Sequence, residues 1–297
     1  MRIIRPTTIT DAMLTSSTVA ETDHAAYNGA TTYALGDRVI VTTADHSIYE
    51  SLQAANTGNT PATSPAWWLK ISATNRWKAF DAKVADQVSR TTDINYVLTP
   101  GAIDAISLLN IDGTSVQITM TDPTDGVVYN QTIGLTSTEN VIDGYTYCFE
   151  PILMRTELAL FDLPPYPSAL VSITITNTGG TAKLGELIVG RASRLGYTEY
   201  SPSIGIVDYS RKEVDTFGNY IVVQRTFSKR LSCDLFLDNA YVDFVARQLS
   251  LYRATPLVWI AADDFSSLIV YGYYRSFDVV IPYPTMSTCS LEIEGLT

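Results

Sequence analysis

The stretch SVQITMTDPTDGVVYNQTI, residues 115–133, decides the fold class of this chain. Apolar and polar residues alternate along Ser115 to Met120, a second run rich in strand-forming residues extends from Val127 to Ile133, and Asp125-Gly126 lies between the two runs. Alternation with a period of two residues is typical of a half-buried β-strand, and Asp-Gly is a strong hairpin signal. The stretch therefore predicts two antiparallel strands joined by a tight turn.

Similar short runs continue on both sides of this hairpin, without helical segments between them. The further strands predicted between Asn75 and Arg194 are Ile94 to Leu98, Ala105 to Asn110, Glu157 to Phe161, Leu170 to Thr176 and Leu184 to Arg191. Turn signals at Asp112-Gly113 and Gly179-Gly180 favour antiparallel pairing, because parallel strands need long crossover connections. This segment is predicted to be a β-sandwich.

The C-terminal part of the chain adds one helix to further strands. Apolar residues recur at helical spacing at Val242, Val245, Leu249 and Tyr252. Asn239 is expected to cap this helix and Pro256 to end it. The strands predicted around it are Tyr220 to Phe227, Leu231 to Leu237, Leu257 to Ala261, Ser267 to Tyr274 and Thr288 to Glu294. An α+β unit is the expected result.

The chain as a whole is predicted to be mainly β and to have several cores. Its 297 residues exceed an ordinary compact domain. We expect an N-terminal arm (residues 1–24), a small module (25–72), a β-sandwich (73–195) and a C-terminal α+β assembly domain (196–297). In the small module, very short strands are predicted at Asp37 to Val41 and Ser47 to Leu52.

Charge and hydropathy exclude two classes of partner. The net charge is −11, and the longest basic runs are pairs such as Arg211-Lys212. Nucleic acid is not expected, since phosphate binding needs a positive footprint. No continuous apolar run is long enough to insert into a membrane. Met1 to Thr10 lacks the apolar stretch of a signal peptide, so we expect a protein made and kept in the cytoplasm until cell lysis.

Catalytic motifs are scarce. The chain has only two histidines, His24 and His46, both in polar, turn-rich surroundings, and no G-x-S-x-G motif to present a nucleophile. Phosphate-binding glycine loops are absent. Paired carboxylates are the remaining route to an enzyme, at Asp263-Asp264 or at Glu292 and Glu294. The last two would share a solvated strand face, so no enzyme and no catalytic residue is predicted.

No metal site or cofactor is predicted either. Asp112, Asp122 and Asp125 could hold a calcium ion through a loop, but Asp-Pro and Asp-Gly settings favour turn formation. The three cysteines, Cys148, Cys233 and Cys289, fit neither a disulfide framework nor zinc spacing and are expected to be buried thiols.

The high tyrosine content, with 18 tyrosines against 9 phenylalanines, is the feature of the composition that points to a binding function. Tyrosine offers a flat apolar face with a polar group, which suits both sugar stacking and protein interfaces. In the small module the candidate carbohydrate-binding residues are Tyr27, Tyr33, Tyr49, Trp67 and Trp68. The alternative is that these rings fill the core of a very small domain.

The small module resembles the chitin- and cellulose-binding modules that are appended to chitinases. The resemblance is carried by Tyr33, Gly36-Asp37, Val39, Tyr49 and the closing Trp67-Trp68. Two features depart from the pattern of these modules: Ala54-Ala55 stand where they carry an aromatic pair, and their leading Trp is replaced by the Ala26-Tyr27 region. The resemblance implies the fold of such a module and possible saccharide binding.

The entry to the middle segment carries a second resemblance. Residues Asn75 to Asp81, NRWKAFD, resemble the opening of galactose-binding-like jelly rolls. Tailed-phage proteins also place a carbohydrate-binding-module-like unit before an Arg-Trp-x-x-Phe-Asp entry and end near Ser-Leu-Glu-Ile-Glu-Gly-Leu, here Ser290 to Leu296. This resemblance implies a component of a bacteriophage tail tip or baseplate.

From these observations we expect a virion structural protein, assembled in the host cytoplasm and located in the tail. It would form a symmetric homo-oligomeric ring with other tail or baseplate proteins and display its N-terminal module for weak attachment to host-surface saccharide. Tyr271, Tyr273 and Tyr274 are expected in subunit contacts, and core packing is the alternative for Tyr271 and Tyr273. A purely architectural baseplate protein is the alternative, and a polysaccharide-degrading enzyme is a third hypothesis.

Overall fold

The computed structural model describes residues 1–137, 141–214, 216–262 and 265–297. It is mainly β, with 51% of residues in strands and 10% helical, which confirms the predicted fold class. No helix in these ranges is long and apolar enough to cross a membrane.

Strands follow one another along most of the chain, and helices are few and short. The strands are β1 (Arg2–Pro6), β2 (Leu14–Ser17), β3 (Arg38–Val41), β4 (Ser47–Ser51), β5 (Trp68–Ala73), β6 (Val88–Leu98), β7 (Ala105–Leu109), β8 (Ser115–Asp122), β9 (Gly126–Gly134), β10 (Thr136–Ser137), β11 (Leu153–Met154), β12 (Glu157–Leu160), β13 (Leu170–Leu184), β14 (Glu186–Arg194), β15 (Tyr197–Thr198), β16 (Ser203–Asp208), β17 (Arg211–Val214), β18 (Tyr220–Val223), β19 (Phe227–Asp238), β20 (Leu257–Ile260), β21 (Ile269–Val280) and β22 (Met286–Gly295). The helices are α1 (Gly144–Phe149) and α2 (Val242–Leu251), and 3-10 turns lie at Pro61–Thr63, Lys78–Phe80, Asn239–Tyr241 and Ser266–Leu268.

The hairpin predicted from residues 115–133 is present as β8 and β9. Val116, Ile118 and Met120 are fully buried, whereas the intervening residues are partly exposed, as a period of two requires. Gly126 has φ +76°, a conformation that glycine adopts at little cost in a tight turn. The turn predicted at Gly179-Gly180 is wrong, because these residues lie at a β-bulge or similar irregularity inside the single long strand β13.

Two sheets form the sandwich. A five-stranded sheet with the order β2-β6-β13-β8-β9 packs on the β12-β7-β14 end of a ten-stranded antiparallel sheet. Ile106 and Leu108 of β7 face the five-stranded sheet, whereas Ala105 and Leu109 belong to a core on the opposite face. A strand covered on both faces is apolar throughout, which is why β7 shows little alternation.

The ten-stranded sheet has the order β12-β7-β14-β1-β20-β21-β22-β19-β15, and β16 also pairs with β19. Strand β1 lies between β14 and β20, so the first residues of the chain join the sandwich strands to the C-terminal strands. The N-terminal 24 residues thus contribute β1 to this sheet and β2 to the five-stranded one. The division into four units stays a prediction. Strand pairing joins the expected N-terminal arm to the sandwich through β14 and to the C-terminal domain through β20.

The ten-stranded sheet curls on itself, and as a result β12 at one edge lies against β21. Lys229 of β19 forms an ion pair with Glu157 of β12 across the mouth of this curl. The inside is a small core that includes Ile4, Val258 and Tyr271. Tyr271 therefore has a core role.

Helix α2 packs on the outer face of the curl. Val245 and Leu249 are buried against a cluster that includes Trp259, as their spacing predicted. The expected cap at Asn239 is wrong: the Asp238 carboxylate accepts the Ala240 backbone N–H at 2.9 Å and begins a 3-10 turn that leads into α2.

Two other expectations are settled by burial. Cys233 and Cys289 are buried as expected, but Cys148 is exposed on α1. Tyr274 was expected in subunit contacts, but it instead packs edge-on against Trp259 at the core and donates its hydroxyl to the Leu249 carbonyl at 2.8 Å.

Candidate assembly arm and binding surfaces

Three of the five candidate aromatic rings form the core of the N-terminal module. Tyr33, Tyr49 and Trp68 are 8%, 5% and 2% exposed. The Tyr33 and Trp68 rings meet edge to face at 5.1 Å, and the Trp68 indole donates to the Asn59 carbonyl at 2.8 Å. Rings enclosed in this way cannot stack on a sugar, so they hold the three-stranded sheet β3-β4-β5 together.

Tyr27 and Trp67 are the two candidate rings that stay partly exposed. Tyr27 covers the core, with its ring centroid 5.9 Å from that of Tyr33. The Leu52 backbone N–H donates to the Trp67 carbonyl, so the two residues are neighbours. Leu69, two residues after Trp67, lies on the same face of the chain, and 49% of its surface is exposed. Leu52 and Leu69 were not predicted as surface residues, because an apolar residue on an exposed strand face looks the same in the sequence as one that faces a core.

A histidine joins this module to the rest of the chain. His46 contacts Glu21 Oε1 through Nδ1 at 2.8 Å and Asp11 Oδ1 through Nε2 at 2.6 Å. Each ring nitrogen of His46 thus faces a carboxylate oxygen from a different part of the chain. Thr74 also donates its hydroxyl to Glu21, at 2.7 Å. Both partners of His46 are carboxylates, so this histidine has a structural setting and not that of a base beside a nucleophile.

The carboxylates weighed for catalysis occupy ordinary surface positions. Glu292 and Glu294 lie on one face of β22, opposite the buried Leu291 and Ile293, as expected. Glu292 is paired with Arg230 at 3.4 Å. Asp263-Asp264 lie outside the described residues.

A second carboxylate pair was not recognised from the sequence. Glu186 of β14 is 4% exposed and lies near Asp81, and one oxygen of each (Glu186 Oε2 and Asp81 Oδ2) lacks a hydrogen-bond partner in the described chain. Burial, with repulsion from Asp81, raises the pKa of Glu186 to about 9. Burial likewise raises the pKa of Asp81 to about 6. A carboxyl held in its neutral form is the expected state of Glu186 at neutral pH.

The possible calcium loop is a turn. Asp122 Oδ1 accepts the backbone N–H of Thr124 at 2.9 Å and that of Asp125 at 3.2 Å. The Ser168 hydroxyl donates to its other oxygen and is the main cause that lowers the pKa of Asp122. In the described ranges no group of three or more His, Cys, Asp or Glu side chains could hold a metal ion.

The most conspicuous surface is a projecting ribbon, which we call the assembly arm (residues 203–214 and 216–227). It leaves the sheet edge where β16 pairs with β19 and continues as the hairpin β17-β18, whose strands pair only with each other among the described strands. All residues of β16, β17 and β18 are exposed. The single strand predicted from Tyr220 to Phe227 is wrong. Strand β18 ends at Val223, and the next strand, β19, begins at Phe227.

The assembly arm is rich in exposed large apolar side chains. They are Ile204, Ile206, Val207, Tyr209, Val214, Phe217, Tyr220, Ile221, Val222, Val223 and Phe227. Phe217 and Tyr220, next to the tip, are 90% and 80% exposed. An exposed apolar surface of this extent marks an interaction site, and a two-stranded ribbon has little stability of its own in water.

An apolar cleft of about 720 Å³ opens at the base of the arm, at the mouth of the curled sheet. Its walls include the loop with Val84 and Ala85, strand β21 with Tyr271, the C-terminal Leu296, and the arm base with Phe227. The Glu157–Lys229 ion pair also lines the cleft. Burial raises the pKa of Glu157, and the Lys229 charge opposes that shift.

The chain matches no protein-family model, no curated protein and no solved structure.

Proposed function

We propose that this chain is a structural protein of a bacteriophage tail tip or baseplate. It self-associates into a ring through the assembly arm and displays the N-terminal module outward for weak attachment to host-surface glycans. Other tail proteins would contact the ring, and the particle would be assembled in the host cytoplasm. No catalytic step is part of this function.

The exposed apolar surface of the arm is the observation that carries the assembly role. Its four aromatic side chains, between 44% and 90% exposed, contribute roughly 500 Å² of accessible surface. A stable interface of standard size buries about 800 Å² on each partner. The aromatic residues alone thus supply more than half of that area, and the seven aliphatic side chains add to it.

The assignment to a phage tail is supported by the order of parts. A small module with a buried aromatic core precedes the Arg76-Trp77 entry of a β-sandwich, and the last strand contains Ser290 to Gly295. This order resembles that of tailed-phage structural proteins. Negative-stain electron microscopy of the purified chain tests the architecture: closed rings of one copy number are expected, and open filaments would contradict a ring.

Sedimentation of the full chain tests the assembly role. The double variant Phe217→Asp with Tyr220→Asp places charge on the arm tip, and we expect at least about a tenfold loss in the apparent association constant, since aromatic anchors dominate such interfaces. Tyr200→Asp is the matched control, because Tyr200 is 99% exposed outside the arm. A wild-type chain that stays monomeric, or an arm variant that assembles like wild type, would contradict the proposed function.

Saccharide attachment depends on the partly exposed face around Trp67. A single such face binds weakly, but several copies on one ring raise the effective concentration of sites and thereby the avidity. Binding of the assembled chain to a panel of bacterial surface polysaccharides should be lost in Trp67→Ala and kept in Leu35→Ala, which removes an exposed side chain elsewhere in the module. Absence of binding by the wild-type ring would favour the purely architectural alternative.

A further inference from the structure

The apolar cleft at the arm base and the apolar tip of the arm are complementary in chemistry. Leu109, Ile269 and Tyr271 line the cleft with side chains at most 8% exposed, and Val84 and Leu296 add partly exposed apolar surface. Glu157 and Lys229, which also line the cleft, form an ion pair, and Arg225 of the arm base adds a further charged residue to the lining. Most of the lining is apolar, so the space suits apolar side chains.

The cleft is too large to be a packing defect. Protein interiors leave few voids bigger than a water molecule, whereas this space measures about 720 Å³. That volume falls within the range of ligand-binding clefts and accommodates more than one aromatic side chain.

The arm tip lies away from the cleft of its own chain, although the arm base lines that cleft. Phe227 lines the cleft, and the paired strands lead from there to the Val214–Tyr220 pair near the tip. At about 3.3 Å per residue, this pair lies roughly 20 Å along the ribbon from Phe227. Each copy therefore presents an apolar tip at one place and an open apolar cleft at another.

We infer that the arm tip of one copy docks into the cleft of a second copy, with Phe217 and Tyr220 as the anchors. This inference rests on the proposed self-association and names the acceptor surface. The two surfaces differ, so the contact is heterologous, and repeated head-to-tail contacts close into a ring when the rotation permits. Aromatic anchors in apolar pockets are the usual centres of such interfaces.

A mixing experiment separates this geometry from arm-to-arm contact. One partner is the arm variant, Phe217→Asp with Tyr220→Asp, whose cleft is intact. The other is Ala85→Arg, whose arm is intact but whose exposed turn residue now projects a long charged side chain from the cleft wall. We expect each variant alone to be monomeric and the mixture to give a one-to-one heterodimer by sedimentation and native mass spectrometry, because one intact arm meets one intact cleft.

Controls keep the outcome clear. Ala30→Arg changes an exposed turn alanine away from the cleft and should assemble like wild type. Thr156→Arg adds a charge on a second wall of the cleft, outside the arm, and it should weaken association at least about tenfold, as Ala85→Arg does, because a charge in an apolar pocket is costly. Thermal unfolding checks that both cleft variants fold.

If both cleft variants assemble like wild type while the arm variant does not, docking into the cleft is wrong and self-association stands. If the arm variant also assembles, both are wrong.

Discussion

The imidazole of His46 stacks on the indole of Trp77, with ring centroids 4.2 Å apart and planes inclined by 22°. His46 belongs to the N-terminal module and Trp77 to the entry of the sandwich, and the same imidazole reaches carboxylates at Asp11 and Glu21. His46 has φ +46°, an uncommon conformation for a residue with a side chain. One residue thus holds the module against two other parts of the chain.

Replacing His46 should loosen this junction. His46→Ala removes two hydrogen bonds to carboxylates and the ring stack, so we expect a loss of about 1–3 kcal/mol in the free energy of unfolding. Cleavage by a protease in the 72–76 connection should become faster. His24→Ala is the matched control, because the side-chain contacts with Asp11, Glu21 and Trp77 are made by His46 and not by His24. Equal protease resistance in the two variants would show that His46 does not hold the junction.

Glu186→Gln should stabilise the protein at neutral and alkaline pH. The pKa of Glu186 is raised from 4.5 to about 9 in the folded state, so its contribution to stability is complete below about pH 4.5 and is lost as the pH rises towards 9. Glutamine stays neutral, and we expect the variant to be about 1–3 kcal/mol more stable than wild type at about pH 8, with little difference at about pH 4.5.

Urea unfolding at a series of pH values measures this effect. Glu292→Gln is the control, because Glu292 lies on a partly exposed face and should show no such gain. A pH-independent difference between Glu186→Gln and wild type would mean that Glu186 is ionised in the folded protein.

The two neighbouring tryptophans of the module should respond differently to truncation. Trp68 is 2% exposed, and Trp68→Ala should cost about 3–5 kcal/mol or unfold the module. Trp67 is partly exposed, and Trp67→Ala should cost less than about 1.5 kcal/mol. Near-ultraviolet circular dichroism and thermal unfolding give the comparison. Similar losses in both variants would contradict the assignment of Trp68 as the core residue.

A glycine in β14 should be sensitive to even one added carbon. A Cβ on Gly190 would lie 1.9 Å from the Arg5 carbonyl oxygen, so Gly190→Ala must push β1 away from β14. We expect a loss of at least about 2 kcal/mol in the free energy of unfolding. Gly134→Ala is the control, because a Cβ there meets open space. An unfolding midpoint for Gly190→Ala equal to that of Gly134→Ala would show that β1 adapts freely.

The alternating residues 115–120, the Asp125-Gly126 turn and the helical spacing of Val245 and Leu249 were sufficient to predict the β8–β9 hairpin, the mainly β class and helix α2. These patterns are local, since a period of two or of 3.6 residues reports which side of one element faces a core. Predicting the buried role of Tyr33 or Trp68 was harder, because an aromatic residue in a very small module suits a core and an exposed face equally well.

The partners of each element were decided only by the tertiary structure. Nothing local in Arg2–Pro6 indicates that β1 pairs with β14 and β20, and nothing in Glu186 or Asp81 indicates that the two carboxyls are buried near each other. The arm strands, with their apolar residues, resemble core strands in sequence and are nevertheless exposed. Periodicity fixes the orientation of a side chain relative to its own strand, whereas pairing and burial depend on residues far away in the chain, which is why the sequence determined the elements and only the folded chain determined their neighbours.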